Sequence, residues 1–174
     1  MFDRDDYVFQ WADIGDISEG RPNLGATTMV AVYRLLQFSL RSVLVSELGA
    51  GKANDVFFKA GALAGSEFCK NVLDRTLEFS AFVGDLQQKL KNLNIGILRV
   101  EEADLDRLSL VLTVSEDLDC SGLPVGGDTV CDYDEGFIAG VLEAYTGKTF
   151  NVKEVDCWTT GGRVCRFSAQ ALQD

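Results

Sequence analysis

Apolar positions along this chain first follow a helical period and then an alternating one. From Thr27 to about Leu48, Val30, Val32, Leu35, Leu36, Phe38, Leu40, Val43 and Leu44 recur at helical spacing, and Gly49 and Gly51 stop the run. A second helix is expected from Lys52 to about Leu73, with Phe57, Phe58, Ala60, Leu63 and Phe68 on its apolar side. Within it Gly61 and Gly65 form a pair of small residues one turn apart, which lets another backbone come close. A third helix, from about Leu77 to Leu93, carries Phe79, Phe82, Val83, Leu86 and Leu90.

The period then becomes two. Ile95, Ile97 and Val100 lead into an acidic turn expected at residues 101–104, and Leu108, Leu110, Leu112 and Val114 alternate as in a half-buried antiparallel strand. Residues 115–130 read as a polar loop. A helix follows from Tyr133 to about Tyr145, with Asp132 as the expected N-cap, Glu135 completing a capping box and Gly147 ending it. A last hairpin runs from Phe150 to Phe167. These elements predict an α+β class: N-terminal helices packed on an antiparallel sheet with one inserted helix. The expected organisation is an irregular arm over 1–24 and one domain over 25–174.

At 174 residues, with 47% hydrophobic and 25% charged positions, the chain can bury a core without disulfide staples. Its 16 basic and 27 acidic residues give a formal charge of −11, which repels phosphate backbones and anionic membrane surfaces. No nucleic acid and no membrane are therefore expected among its partners. The acidic start, Asp3-Arg4-Asp5-Asp6, is unlike a secretory signal, and the expected location is cytoplasmic. There is no histidine, so histidine-based nucleophile activation, haem ligation through histidine and histidine proton shuttling are excluded.

The candidate chemistry lies in the last third. Cys131 precedes a helix, Glu154 and Cys157 close a strand, and Cys165 lies on the next one. Three thiolates and a carboxylate suit zinc, and four protein ligands leave no open position, so such a zinc is structural. Spacing alone leaves other readings open: buried hairpin cysteines, or a disulfide, which a reducing compartment disfavours. Residues 154 and 157 have opposite parity, so a shared site requires a bulge or strand end near Asp156. Cys69 reads as core, and Cys120, on a loop, as a plain exposed cysteine ahead of a substitute ligand or a reactive thiol. For a ligand pocket the candidates are Phe79, Phe82, Phe137, Val141 and Trp158, although an aromatic stripe at helical spacing is also what a plain core looks like.

The runs 131–140, 152–157 and 161–167 resemble the 4-vinyl reductase (4VR) family, and the resemblance extends from about Arg21 to Phe167. It implies a small-molecule-binding domain related to the aromatic-sensing domains of sigma-54-dependent regulators, with a zinc on Cys131, Glu154, Cys157 and Cys165 stapling the C-terminal hairpin. It also implies a fold similar to haem nitric-oxide-binding domains and to a subunit of a vesicle-tethering complex. The phenol sensors use a histidine that this chain lacks, so phenol specificity does not carry over. The expected function is a non-catalytic sensor or carrier of a hydrophobic or aromatic small molecule, forming a homodimer and signalling through a partner protein. Two alternatives stand beside it: a tetrapyrrole vinyl reductase or its accessory protein, and an assembly subunit with a permanently bound lipid. The sequence offers a hydride donor no recognisable seat.

Overall fold

The computed structural model describes residues 7–172. Two four-residue turns come first, a 3-10 turn at Trp11–Ile14 and α1 at Ile17–Gly20. The expected arm is thus partly ordered, and Trp11 is its anchor: its ring meets Phe68 edge-on at 6.4 Å. Three long helices follow, α2 (Val30–Leu48), α3 (Ala50–Val72) and α4 (Phe79–Asn92). Gly49, at φ 81°, ends α2 and lets the chain reverse directly into α3.

Strands β1 (Ile97–Asp104) and β2 (Ser109–Ser115), then α5 (Asp132–Thr146), then β3 (Phe150–Asp156) and β4 (Cys165–Ala171) complete the chain. The sheet is antiparallel throughout, in the order β1-β2-β4-β3. Residues 101–104 belong to β1 rather than to a turn. A register shift between Val100 and Glu102 lets the strand continue, and the chain reverses at 105–108. The α+β class is as the hydrophobic pattern predicts.

Helix α5 is the hub. Gly61 and Gly65 of α3 face the carbonyls of Tyr133 and Phe137, while Gly136 and Gly140 of α5 face those of Phe58 and Ala62. A methyl group at any of the four would run into the opposing backbone. The two helices therefore touch main chain to main chain. Gly147, at φ 74°, ends α5 as expected. The N-cap differs: Cys131 holds that position without a side-chain cap bond. Glu135 instead reaches across to β3, accepting from the Glu154 amide at 2.8 Å and from Lys153 Nζ at 2.8 Å.

Helix α2 inverts the usual amphipathic arrangement. Its apolar positions face outward, with Leu35 73% and Leu36 66% exposed, whereas its buried residue is Gln37. The side of α2 that faces the protein is polar because it grips a loop.

Candidate functional site

That loop, residues 116–131, carries the site. Arg34 of α2 donates to the carbonyls of Leu118 (2.8 Å) and Ser121 (2.9 Å). The Tyr33 hydroxyl donates to Asp119 Oδ1 at 2.8 Å, and Gln37 Nε2 donates to Asp119 Oδ2 at 2.6 Å. Asp117 Oδ1 accepts the amides of Asp119 and Cys120, folding the loop into a tight turn that aims Cys120 inward. At the loop's far end Arg41 holds Asp132 (2.9 Å) and the Val130 carbonyl (3.0 Å), with its guanidinium 4.3 Å from the Phe57 ring centre.

Four sulfurs meet beneath this loop. The Sγ atoms of Cys120, Cys131, Cys157 and Cys165 lie within 4.8 Å of one another, and all four residues are buried. Cys120 is therefore not the exposed cysteine the polar loop suggested: the Asp117 turn buries it completely, 3.0 Å from Cys165. The strand parity is resolved as the sequence demanded. The β3–β4 register shifts between Glu154 and Asp156, and β3 ends at Asp156, so Cys157 turns back to the side of Glu154. Glu154 stands beside the sulfurs: its Oε2 accepts the Cys131 amide at 3.1 Å, and its Oε1 is buried without a hydrogen-bond partner. Cys69 is core, as expected.

The donor chemistry fits a thiophilic cation. Contacts with Cys120, Cys131 and Cys165 lower the Cys157 thiol, while contact with Cys120 raises both Cys131 and Cys165. These contacts thus favour a thiolate at Cys157 and oppose one at Cys131 and at Cys165. Burial, followed by the neighbouring Cys157, pushes Glu154 up to about 8. A divalent cation would reverse this order by stabilising several thiolates at once.

A cavity of about 200 Å³ lies on the other side of the loop, between α4, α5 and the sheet. Phe79, Phe82, Phe137 and Val141 line it, together with Leu112 and Ile138. Trp158 does not. It lies in a separate, open groove beside Arg34 and Arg163, with its indole N–H donating to the Leu123 carbonyl at 3.0 Å. The chain leaves β3 through the Cys157 turn, and this places the indole on the loop's outer side.

Hydropathy alone does not mark the cavity's polar end. Tyr33, Asp117, Asp119, Tyr133 and Asp134 converge there. Burial pushes Asp117 up; Asp119 reaches about 6 through burial and then Asp117; Asp134 stands well above the carboxylate range for the same reasons. Burial likewise pushes Tyr133 to about 12. The nearest sequence signal was the acidic start of α5, which also reads as ordinary helix-dipole complementarity.

Residues 110–171, from β2 to the end of β4, match the V4R domain. The resemblance to the 4-vinyl reductase family holds. Beyond the V4R region, two uncharacterized proteins of Methanocaldococcus jannaschii align over most of the chain. One is 28% identical, covering 89% of this chain and 84% of its own length; the other is 27% identical, covering 87% and 83%. Among solved structures, a vinyl-4-reductase family protein from the same archaeon superposes with a TM-score of 0.63 at 17% identity, over 97% of this chain and 100% of that one. The phenol-responsive sensory domain of the transcription activator PoxR gives 0.62 at 18% identity, over 84% and 76%. A trafficking protein particle complex subunit 3 from Naegleria fowleri, covalently bound to palmitic acid, gives 0.60 at 14% identity, over 83% and 98%. An H-NOX protein shares the fold at 0.52 and 13% identity, over 79% and 74%. At these identities the structural likenesses establish the fold. Among the described residues no helix is long and apolar enough to cross a membrane.

Proposed function

We propose that this chain is a non-catalytic domain that senses or carries a hydrophobic or aromatic small molecule, held in the cavity between α4, α5 and the sheet. The observation that carries the reading is the cavity itself, apolar along its walls and closed at one end by a few convergent polar groups. The V4R match and the fold shared with a phenol-responsive sensory domain support it. Size favours a small occupant over a tetrapyrrole: an apolar cavity of about 150 Å³ holds one benzene ring, and this one is about 200 Å³.

In this reading a zinc ion is held by Cys131, Cys157 and Cys165, with Cys120 as the fourth thiolate. Glu154 orients Cys131 through its backbone amide. Bound there, zinc ties the loop, the start of α5 and the β3–β4 hairpin together, and it supplies no open position for catalysis. The ligand signal passes through α2, whose inner face holds Asp119 and whose outer face is the apolar stripe that pairs two copies into a homodimer. Denaturing mass spectrometry of the purified protein, combined with metal analysis, tests the whole reading. The expected result is one zinc per chain and a small apolar or aromatic molecule. Zinc far below one per chain, or stoichiometric haem, overturns it.

A further inference from the structure

Helix α2 spans 19 residues, yet none of its apolar side chains belongs to the core or packs against it, and its one buried residue is Gln37. Contact with α3 aside, what holds α2 to the protein is a set of hydrogen bonds. They leave one face of the helix, from Tyr33, Arg34, Gln37 and Arg41, and end on residues 117–121 and 130–132. Those two stretches contain Cys120 and Cys131. The helix thus grips the loop at the two points where the loop delivers a sulfur to the cluster.

The middle of the loop is tied to the other half of the cluster. The amides of Gly126 and Gly127 donate to the Thr159 carbonyl at 2.9 and 3.1 Å, two residues beyond Cys157. The loop, the start of α5 and the β3–β4 hairpin therefore form a platform whose three parts meet at four sulfurs. Thiols alone make weak contacts at such a junction, since S–H is a poor donor and sulfur a poor acceptor. A cation held by all four would join the parts by bonds. Apolar packing would hold α2 whatever the loop did, but hydrogen bonds hold it only while their acceptors stay in place. Helix α4 is the contrasting case, because it buries Phe82, Leu86 and Leu90 and owes nothing to the loop.

We infer that metal loading of the sulfur cluster controls the docking of α2. With the metal bound, the helix lies fixed on the platform and presents its outer stripe in one orientation. On metal loss the helix comes away while the core stays folded. This coupling rests on the metal reading given above. By linkage it runs both ways, so the contacts that dock α2 also help to retain the metal.

The test is hydrogen exchange by mass spectrometry on the reduced full chain, before and after zinc removal with a chelator, with zinc content measured first. Amides of residues 30–48 are expected to exchange at least about ten-fold faster once zinc is gone, while those of residues 79–92 keep their rates. Zinc added back should restore α2. Unchanged exchange in α2 overturns the coupling and leaves the metal reading standing. So does an equal rise in α2 and α4, which would mean that the metal holds the whole fold and α2 is no separate element. Absence of zinc before chelation overturns the metal reading, and the coupling with it. A second measurement follows zinc release to a chromogenic chelator. Arg34→Gln combined with Arg41→Gln should release zinc at least about ten-fold faster than the parent. Leu35→Gln, on the outer face and 73% exposed in the parent, should release it at the parent's rate. Equal release from the parent and the double variant overturns the coupling. Should the double variant fail to fold, the exchange measurement on the unaltered chain decides alone.

Discussion

Tyr33 on α2 and Asp119 on the cysteine-bearing loop share a 2.8 Å hydrogen bond, and this contact joins the cavity, the sulfur cluster and the outer helix. Asp119 is one residue from Cys120, and both Tyr33 and Asp119 line the cavity. A change at the ligand end is therefore one bond away from α2. Tyr33→Phe leaves Asp119 Oδ1 buried and short of a donor, which costs on the order of 1–3 kcal/mol. Urea denaturation should show that loss. A double-mutant cycle with Gln37→Leu should show non-additivity, since both side chains serve the same carboxylate. Strict additivity would mean that the two contacts act independently and that α2 is not gripped through Asp119.

The glycine contacts between α3 and α5 make an opposite-sign pair of predictions. Gly61→Ala and Gly140→Ala each drive a methyl group into an opposing carbonyl, of Tyr133 and Ala62 respectively. Overpacking of this kind costs about 1–3 kcal/mol, outweighing the gain of up to about 1 kcal/mol from alanine's helix propensity. Gly84, in α4, has open space where its Cβ would go. There the propensity term acts alone, and Gly84→Ala should raise the melting temperature. If all three variants melt higher than the parent, the close approach of α3 and α5 is wrong.

Metal content should separate Cys120 from Glu154. With four thiolates as ligands, Cys120→Ser, Cys131→Ser, Cys157→Ser and Cys165→Ser should each lower zinc well below one per chain. Their melting temperatures should fall by about 10 °C or more, since zinc bound only to the folded state adds its binding energy to folding. Glu154→Gln should keep its zinc, because a carboxamide oxygen still accepts the Cys131 amide. Plasma emission spectrometry decides the matter. A zinc-depleted Glu154→Gln beside a fully loaded Cys120→Ser would return the fourth position to Glu154.

The chain's periodicities carried the order of elements, the α+β class and the close approach at Gly61 and Gly65, because these depend on local spacing. Cys131, Cys157 and Cys165 were legible as candidate donors for a similar reason: a helix start and a hairpin fix them within short stretches. Cys120 was not. Its inward turn depends on Asp117 capping the two amides of residues 119 and 120, and on α2 gripping the loop more than 80 residues away in sequence. Trp158 lies apart from the other four pocket candidates, in the groove beside Arg34 and Arg163, because the turn at the end of β3, not the aromatic content of the hairpin, decides which side the indole takes. The acidic end of the cavity stayed hidden because Asp117, Asp119 and Asp134 look like solvated loop and helix-start residues until the fold brings them together.

The outward stripe on α2 carries the last prediction. Met29, Val32, Leu36, Leu40 and Val43 recur at spacings of three and four, and each is at least 47% exposed. A continuous apolar stripe along one face of a helix is what a partner helix buries, and isolated exposed leucines would need no such account. With a second copy of the chain as that partner, the parent protein should run as a dimer in size-exclusion chromatography with light scattering. Leu36→Glu together with Leu40→Lys should give a monomer. Because these side chains point away from the protein's own core, the monomer should keep its zinc and its circular-dichroism spectrum. A parent that is monomeric at micromolar concentration would remove α2 as a pairing surface, and with it the route by which a ligand held beside Tyr33 could be read by a second subunit.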